Sequence, residues 1–206
     1  MSTGLLELDK ALGGGLIPGR FIEVYGGVGV GKSLMCLEII RALQAQEKEV
    51  LYVDADQSFD PIHASKVGVN LKTLALARIQ SGDLDGLLDA CNEYDVIIID
   101  PIIGLDGPEQ IVDFFVRNLE TLSNSRACFI LTNQLRVNLG RGNCIAPLGT
   151  TFHHFISVRI LLSKKEVLKN KTGLLGYKLY CDVIKNKLAP MLGGFEMTIP
   201  YKTEAI

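Results

Sequence analysis

Gly26-Gly27-Val28-Gly29-Val30-Gly31-Lys32-Ser33 is the stretch on which the fold turns. It matches G-x-x-x-x-G-K-[ST] at every fixed position. Phe21 to Tyr25 before it is short, apolar and β-branched, as a buried strand requires. From Ser33 to Gln46 apolar residues recur at helical spacing, with Leu34, Leu37, Ile40 and Leu43 on one side. Strand, glycine loop and helix together make a P-loop. The glycines let the backbone curl round an anion with successive N–H groups pointing inward. The positive end of the following helix adds to that field. Lys32 supplies a point charge for β- and γ-phosphates, and the Ser33 hydroxyl is a hard oxygen suited to Mg²⁺. Leu34 completes the run expected to contact the nucleotide. A dinucleotide fingerprint would need glycine at Lys32 or Leu34, and fails.

Outward from the loop, strand-like and helix-like patterns alternate. Val50 to Asp54 reads as a second buried strand, and Leu84 to Glu93 as a helix. Val96 to Ile99 is apolar throughout, as in a parallel strand covered on both faces. Ile111 to Leu122 reads as an amphipathic helix and Cys128 to Thr132 as a strand. Beyond Phe155, the segments Ile156 to Leu162, Tyr177 to Ile184 and Phe195 to Ile199 read as successive strands with antiparallel pairing. The expectation is an α/β fold: a mostly parallel central sheet flanked by helices, with an antiparallel C-terminal extension, in one domain spanning residues 1–206.

Carboxylates stand where such a sheet carries ligands, at the carboxyl ends of strands. Asp100 follows four apolar residues and is the candidate to hold Mg²⁺ through water. Asp54 and Asp56 lie at or just past the end of the second strand, and Asp56 is the preferred candidate for a general base. Either one also suits the start of a turn. Gln134, in Thr132-Asn133-Gln134, is an amide that donates and accepts at once, suited to sensing a γ-phosphate.

Composition narrows the classes. A chain of 206 residues that is 48% hydrophobic and 21% charged is a folded domain, not a disordered tail. A net charge of −2 offers no global positive field for nucleic acid, so any such contact needs a local basic face. No basic region followed by an apolar stretch opens the chain, and no apolar run is long enough to span a membrane. The five cysteines are scattered and read as reduced thiols, mostly in the core, which makes a cytoplasmic location the expectation.

Taken together, these motifs resemble the RecA family of ATP-dependent recombinases over nearly the whole chain. The resemblance rests on Ser2-Thr3-Gly4, Leu8-Asp9 and Ala11 to Gly15, and on Val53-Asp54-Ala55-Asp56 with Asp60-Pro61-Ile62. It continues through Asp100, Thr132 to Arg136, and Val183-Ile184-Lys185-Asn186-Lys187-Leu188-Ala189-Pro190, all in family order. The resemblance implies ATP and Mg²⁺ as cofactors. It implies that Asp56 stands where the family has a water-activating glutamate, one methylene longer, so that the base is drawn back by about 1.5 Å. By the same likeness, Gln134 reports the γ-phosphate to the DNA-binding loop and His63 stands near the adenine-stacking position. Lys185, Lys187 and His154 fall where the family faces the nucleotide of an adjoining subunit. The second DNA loop corresponds to residues 137–151, with Arg136 beside it and Asn138, Arg141 and Asn143 within it. The first is expected to be shortened or lost, and the N-terminal polymerisation segment and C-terminal domain of recombinases are expected to be missing.

Two functions follow as expectations. One is a DNA-dependent ATPase in or alongside recombination and repair, contacting single-stranded DNA through 137–151. The other is a nucleotide-dependent regulatory or scaffolding protein that hydrolyses ATP poorly and docks a protein partner. A ring-forming motor or clock-type ATPase is a third, more distant reading.

Overall fold

The computed structural model describes residues 1–78, 84–137, 144–145, 148–171, 173–191 and 193–201. Helix α1 (Leu6–Ala11) precedes strand β1 (Phe21–Gly26), helix α2 (Lys32–Gln44) and strand β2 (Val50–Asp54). Then come α3 (Pro61–Val67), β3 (Ala75–Ala77), α4 (Gly86–Ala90) and β4 (Val96–Asp100). Helices α5 (Pro108–Arg117) and α6 (Leu119–Ser123) lead to β5 (Cys128–Gln134). The short strands β6 (Arg136–Val137) and β7 (Cys144–Ile145) pair with each other. Helix α7 (Gly149–Phe155) and strands β8 (Val158–Asn170), β9 (Gly173–Asn186) and β10 (Gly194–Pro200) complete the described order.

Eight strands form one sheet in the order β10-β9-β8-β1-β5-β4-β2-β3. From β8 to β3 every pairing is parallel, and β8-β9-β10 is antiparallel, as expected from sequence. The parallel centre is covered on both sides, which is why β1, β2, β4 and β5 are buried at every position but Gln134 and are mostly apolar. Strand pleating sends alternate residues to opposite layers. Ile98 and Ile130 pack with Leu37, Ile40 and Leu43 of α2. Ile97, Ile99, Phe129 and Leu131 pack with Phe115 of α5 and Phe152 of α7. Phe21 stacks on Phe129 with centroids 4.9 Å apart.

Several boundaries differ from the sequence reading. The helix expected over 111–122 divides at Asn118, whose side-chain amide donates to the Phe114 carbonyl at 2.9 Å and closes α5. The helix expected over 84–93 contracts to α4. Strands β8 and β9 run well past their apolar segments as a backbone ladder, along which Tyr180 of β9 donates to Glu166 of β8 at 2.9 Å and Lys178 of β9 pairs with Glu196 of β10. The loop expected over 137–151 ends earlier, since α7 begins at Gly149. Asn138, Arg141 and Asn143 lie outside the described residues. Among the described residues, no helix is long and apolar enough to cross a membrane.

Candidate nucleotide site

Parallel register places the candidate residues in one row. Gly26, where the P-loop leaves β1, pairs with Gln134 of β5, and Asp54 of β2 pairs with Asp100 of β4. All four are at carboxyl ends of neighbouring strands. In open α/β sheets this edge is where ligands sit.

The loop itself is shaped for close approach. Gly31 precedes α2 with φ of 102°, a left-handed conformation that disfavours a side chain. A Cβ there would also lie 2.7 Å from Leu179 Cδ2. Lys32 is 8% exposed, and its ammonium donates to the carbonyls of Gly27 at 2.8 Å and Gly26 at 3.2 Å. Burial pulls its pKa down while the Asp100 carboxylate pushes it back up, so lysine and acid feel each other. A cleft of about 210 Å³ is lined by Gly29, Gly31, Lys32, Ser33 and Leu34, together with His63 and Lys165.

Asp100 is buried, and both of its oxygens are engaged. Tyr52 donates its hydroxyl to Oδ2 at 2.6 Å, and the Thr132 hydroxyl donates to Oδ1. Burial and Asp100 together raise the Tyr52 pKa, so the phenol stays a donor. Serine hydroxyl and carboxylate are the oxygen donors that Mg²⁺ takes beside nucleotide phosphates. Among the described residues no cluster of three His, Cys, Asp or Glu could cage a metal unaided. That donor set fits an ion shared with a phosphate ligand.

The two acids after β2 behave differently. Asp54 is buried and accepts from the backbone of Ser58 at 2.9 Å and of Phe59 at 3.3 Å, with Arg78 Nε 3.5 Å away. It organises the turn. Asp56 is exposed and, among the described residues, accepts one bond, from the Ser58 N–H at 3.2 Å, which leaves it accessible to solvent. His63 lies on α3, which Asp60 caps by accepting from the Ile62 and His63 N–H groups. Its Nδ1 is 3.2 Å from the Tyr201 hydroxyl, and the two rings lie 5.5 Å apart. Burial, Lys165 and Lys66 depress the His63 pKa against the pull of Asp60, favouring a neutral ring.

A second polar group runs across β1, β8 and β9. Glu23 is buried and opposes Arg159, which opposes Lys185 in turn. Arg159 Nε reaches Glu23 at 2.5 Å, and Asn133 Nδ2 donates to Glu23 at 2.9 Å. Arg159 also lies 4.6 Å over the Tyr25 ring. Lys185 and Lys187 donate to the carbonyls of His153 and His154, so they cap the C-terminal end of α7. The side chain of His154 is exposed, and only backbone placement is described at Arg136. Glu23, Arg159, Tyr52, Thr132 and Lys165 escaped the sequence reading. For the first four the legible signal was a polar or phenolic residue inside an apolar strand, which must find a partner when buried; Lys165, exposed in a polar stretch, carries no such signal.

These features agree with comparisons to known proteins. A family model described as the RecA N-terminal domain matches residues 1–205. Protein RecA of Brevibacillus brevis is 31% identical over 224 residues, covering 97% of this chain and 64% of that protein. Protein RecA of Halalkalibacterium halodurans is 32% identical over 225 residues, covering 98% and 64%. That of Bacillus subtilis is 30% identical over 223 residues, covering 97% and 64%. The chain therefore spans a little under two thirds of these relatives. With a P-loop, two strand-end acids and a strand-end glutamine in register, and a family match along nearly its whole length, the chain belongs to the RecA family.

Proposed function

We propose that residues 1–206 act as one RecA-like ATPase core that binds ATP with Mg²⁺ and contacts single-stranded DNA. The observation that carries this reading is the row of Gly26, Gln134, Asp100 and Asp54 at adjoining strand ends, beside a cleft lined by Lys32 and Ser33. Gly26 to Leu34 would wrap the phosphates, and His63 would offer a flat neutral ring to the base. Ser33 and Asp100 would hold Mg²⁺, which when bound offsets phosphate charge. Asp56 would orient a water for in-line attack on the γ-phosphate, while Lys32 steadies the developing charge. Gln134 would sense the γ-phosphate and pass its state toward Arg136 and the 137–151 segment, where Asn138 and Arg141 would meet DNA phosphates. Lys185, Lys187 and His154 would face a neighbouring subunit's nucleotide. The setting would be cytoplasmic, in or alongside recombination and repair.

A second reading is favoured by Asp56 alone. Its short side chain, exposed and held by one backbone bond, suits a protein that binds ATP, turns it over slowly and docks a partner. The test is ATP turnover with and without single-stranded DNA. Stimulation by DNA that disappears in Lys32→Ala supports the first reading. ATP binding with neither turnover nor salt-sensitive DNA affinity overturns it in favour of the second.

A further inference from the structure

Strand β8 pairs with β1 only as far as Leu162, opposite Gly26. Beyond that point it continues as a ribbon with β9, so the P-loop and the ribbon leave the sheet side by side. Lys165 is three residues along that ribbon, directly across from Leu179. Both partners touch the loop. A Cβ on Gly31 would meet Leu179 Cδ2 at 2.7 Å and Lys165 Cδ at 3.4 Å. Lys165 also lines the cleft that Lys32 and Ser33 line.

Its charge is uncommitted. The neighbouring ribbon lysines Lys164 and Lys178 are paired with Glu166 and Glu196. Among the described residues, Lys165 has no carboxylate within ion-pair distance, and its ammonium lies 5.1 Å from the centroid of the Tyr177 ring. Among the described residues no acid lines the cleft, which presents two ammonium groups and an imidazole. Lys165 also helps depress the His63 pKa, which marks its charge as felt within the same cleft. An ammonium on a flexible stem, lining one cleft with the glycine loop, fits a polyanion.

We propose that Lys165 is a second polyphosphate-binding lysine of the P-loop cleft, reaching the ligand from the β8–β9 ribbon. The proposal rests on the reading of that cleft as a nucleoside triphosphate site. Its ligand chemistry is the phosphate chain, not the base: Lys32 serves one end of the chain and Lys165 screens the side facing Gly31 and Leu34.

Calorimetric titrations with Mg-ATP, Mg-ADP and inorganic tripolyphosphate, at low and high salt, test it on wild type, Lys165→Met, Lys165→Arg and Lys32→Ala. Methionine keeps the aliphatic stem against Gly31 and Tyr177 while removing the charge. Lys165→Met should weaken all three ligands by about fivefold at low salt, and less at high salt. Lys165→Arg should retain most of the affinity, which separates lost charge from lost fold. Unchanged affinity in Lys165→Met overturns the proposal. So does a loss confined to the two nucleotides with tripolyphosphate unaffected, since that puts the ammonium on base or ribose. Wild type that binds none of the three ligands overturns the nucleotide reading itself. Wild-type binding abolished by Lys32→Ala but indifferent to Lys165→Met overturns this inference alone.

Discussion

Tyr52, in the middle of β2, donates its hydroxyl at 2.6 Å to Oδ2 of Asp100, which ends the adjacent strand β4. The bond lies in the core, where an acceptor left unpaired carries its full desolvation cost. Tyr52→Phe removes the donor and leaves Thr132 as the remaining hydroxyl on Asp100. The expected loss is about 1–2 kcal/mol of folding stability. Urea unfolding measures it, and an unchanged midpoint would show that Asp100 is satisfied without the phenol.

Asp56 stands exposed just past β2, held by a single backbone N–H. If its carboxylate is the base, one methylene separates it from the position that suits an attacking water. Asp56→Glu should raise ATP turnover by about tenfold or more with ATP affinity unchanged, since misplacement of this size costs up to about 10²-fold. Steady-state kinetics beside equilibrium binding decide. Unchanged or lower turnover assigns the base elsewhere.

Lys185 has its pKa lowered to about 8 by burial first, then by Lys187 and Arg159. The folded chain therefore holds the neutral amine more readily than the unfolded chain, whose value is 10.5. Its contribution to stability is complete above 10.5, falls as pH drops toward 8, and is lost below that. Lysine side-chain NMR should find one ammonium titrating near 8 that vanishes in Lys185→Met. All lysines titrating above 10 would contradict the placement of Lys185 against α7 and Arg159.

Phe129 is fully buried at the centre of the sheet and stacks on Phe21, which meets Phe115 edge-on. Phe129→Ala should cost about 3–5 kcal/mol, the transfer term plus a cavity that the two remaining packed rings cannot refill. Chemical denaturation tests this. A loss under about 1 kcal/mol would mean the layer between sheet and α5 packs loosely.

The P-loop, the parallel centre and the antiparallel end were legible because each is written in local pattern: glycine spacing, continuous apolar runs, β-branched alternation. Asp100 and Gln134 were legible for the same reason, as polar residues closing apolar strands. The pairing of Glu23 with Arg159 was not, because it joins residues far apart in sequence that only strand register brings together. The break at Asn118 was hidden by continuous amphipathic periodicity, and a side-chain bond to Phe114 decides it. Lys165 was invisible since its approach to Gly31 depends on where β8 leaves β1, which no window of sequence reports.

The central claim is that the cleft at Lys32 and Ser33 holds Mg-ATP. Calorimetric binding of ATP, with and without Mg²⁺, to wild type and Lys32→Ala tests it most directly. The account predicts saturable, Mg²⁺-strengthened binding by wild type and a loss of about 100-fold in Lys32→Ala, the worth of a buried charge-assisted contact. Equal affinity in the two proteins, or no binding by wild type, would contradict it.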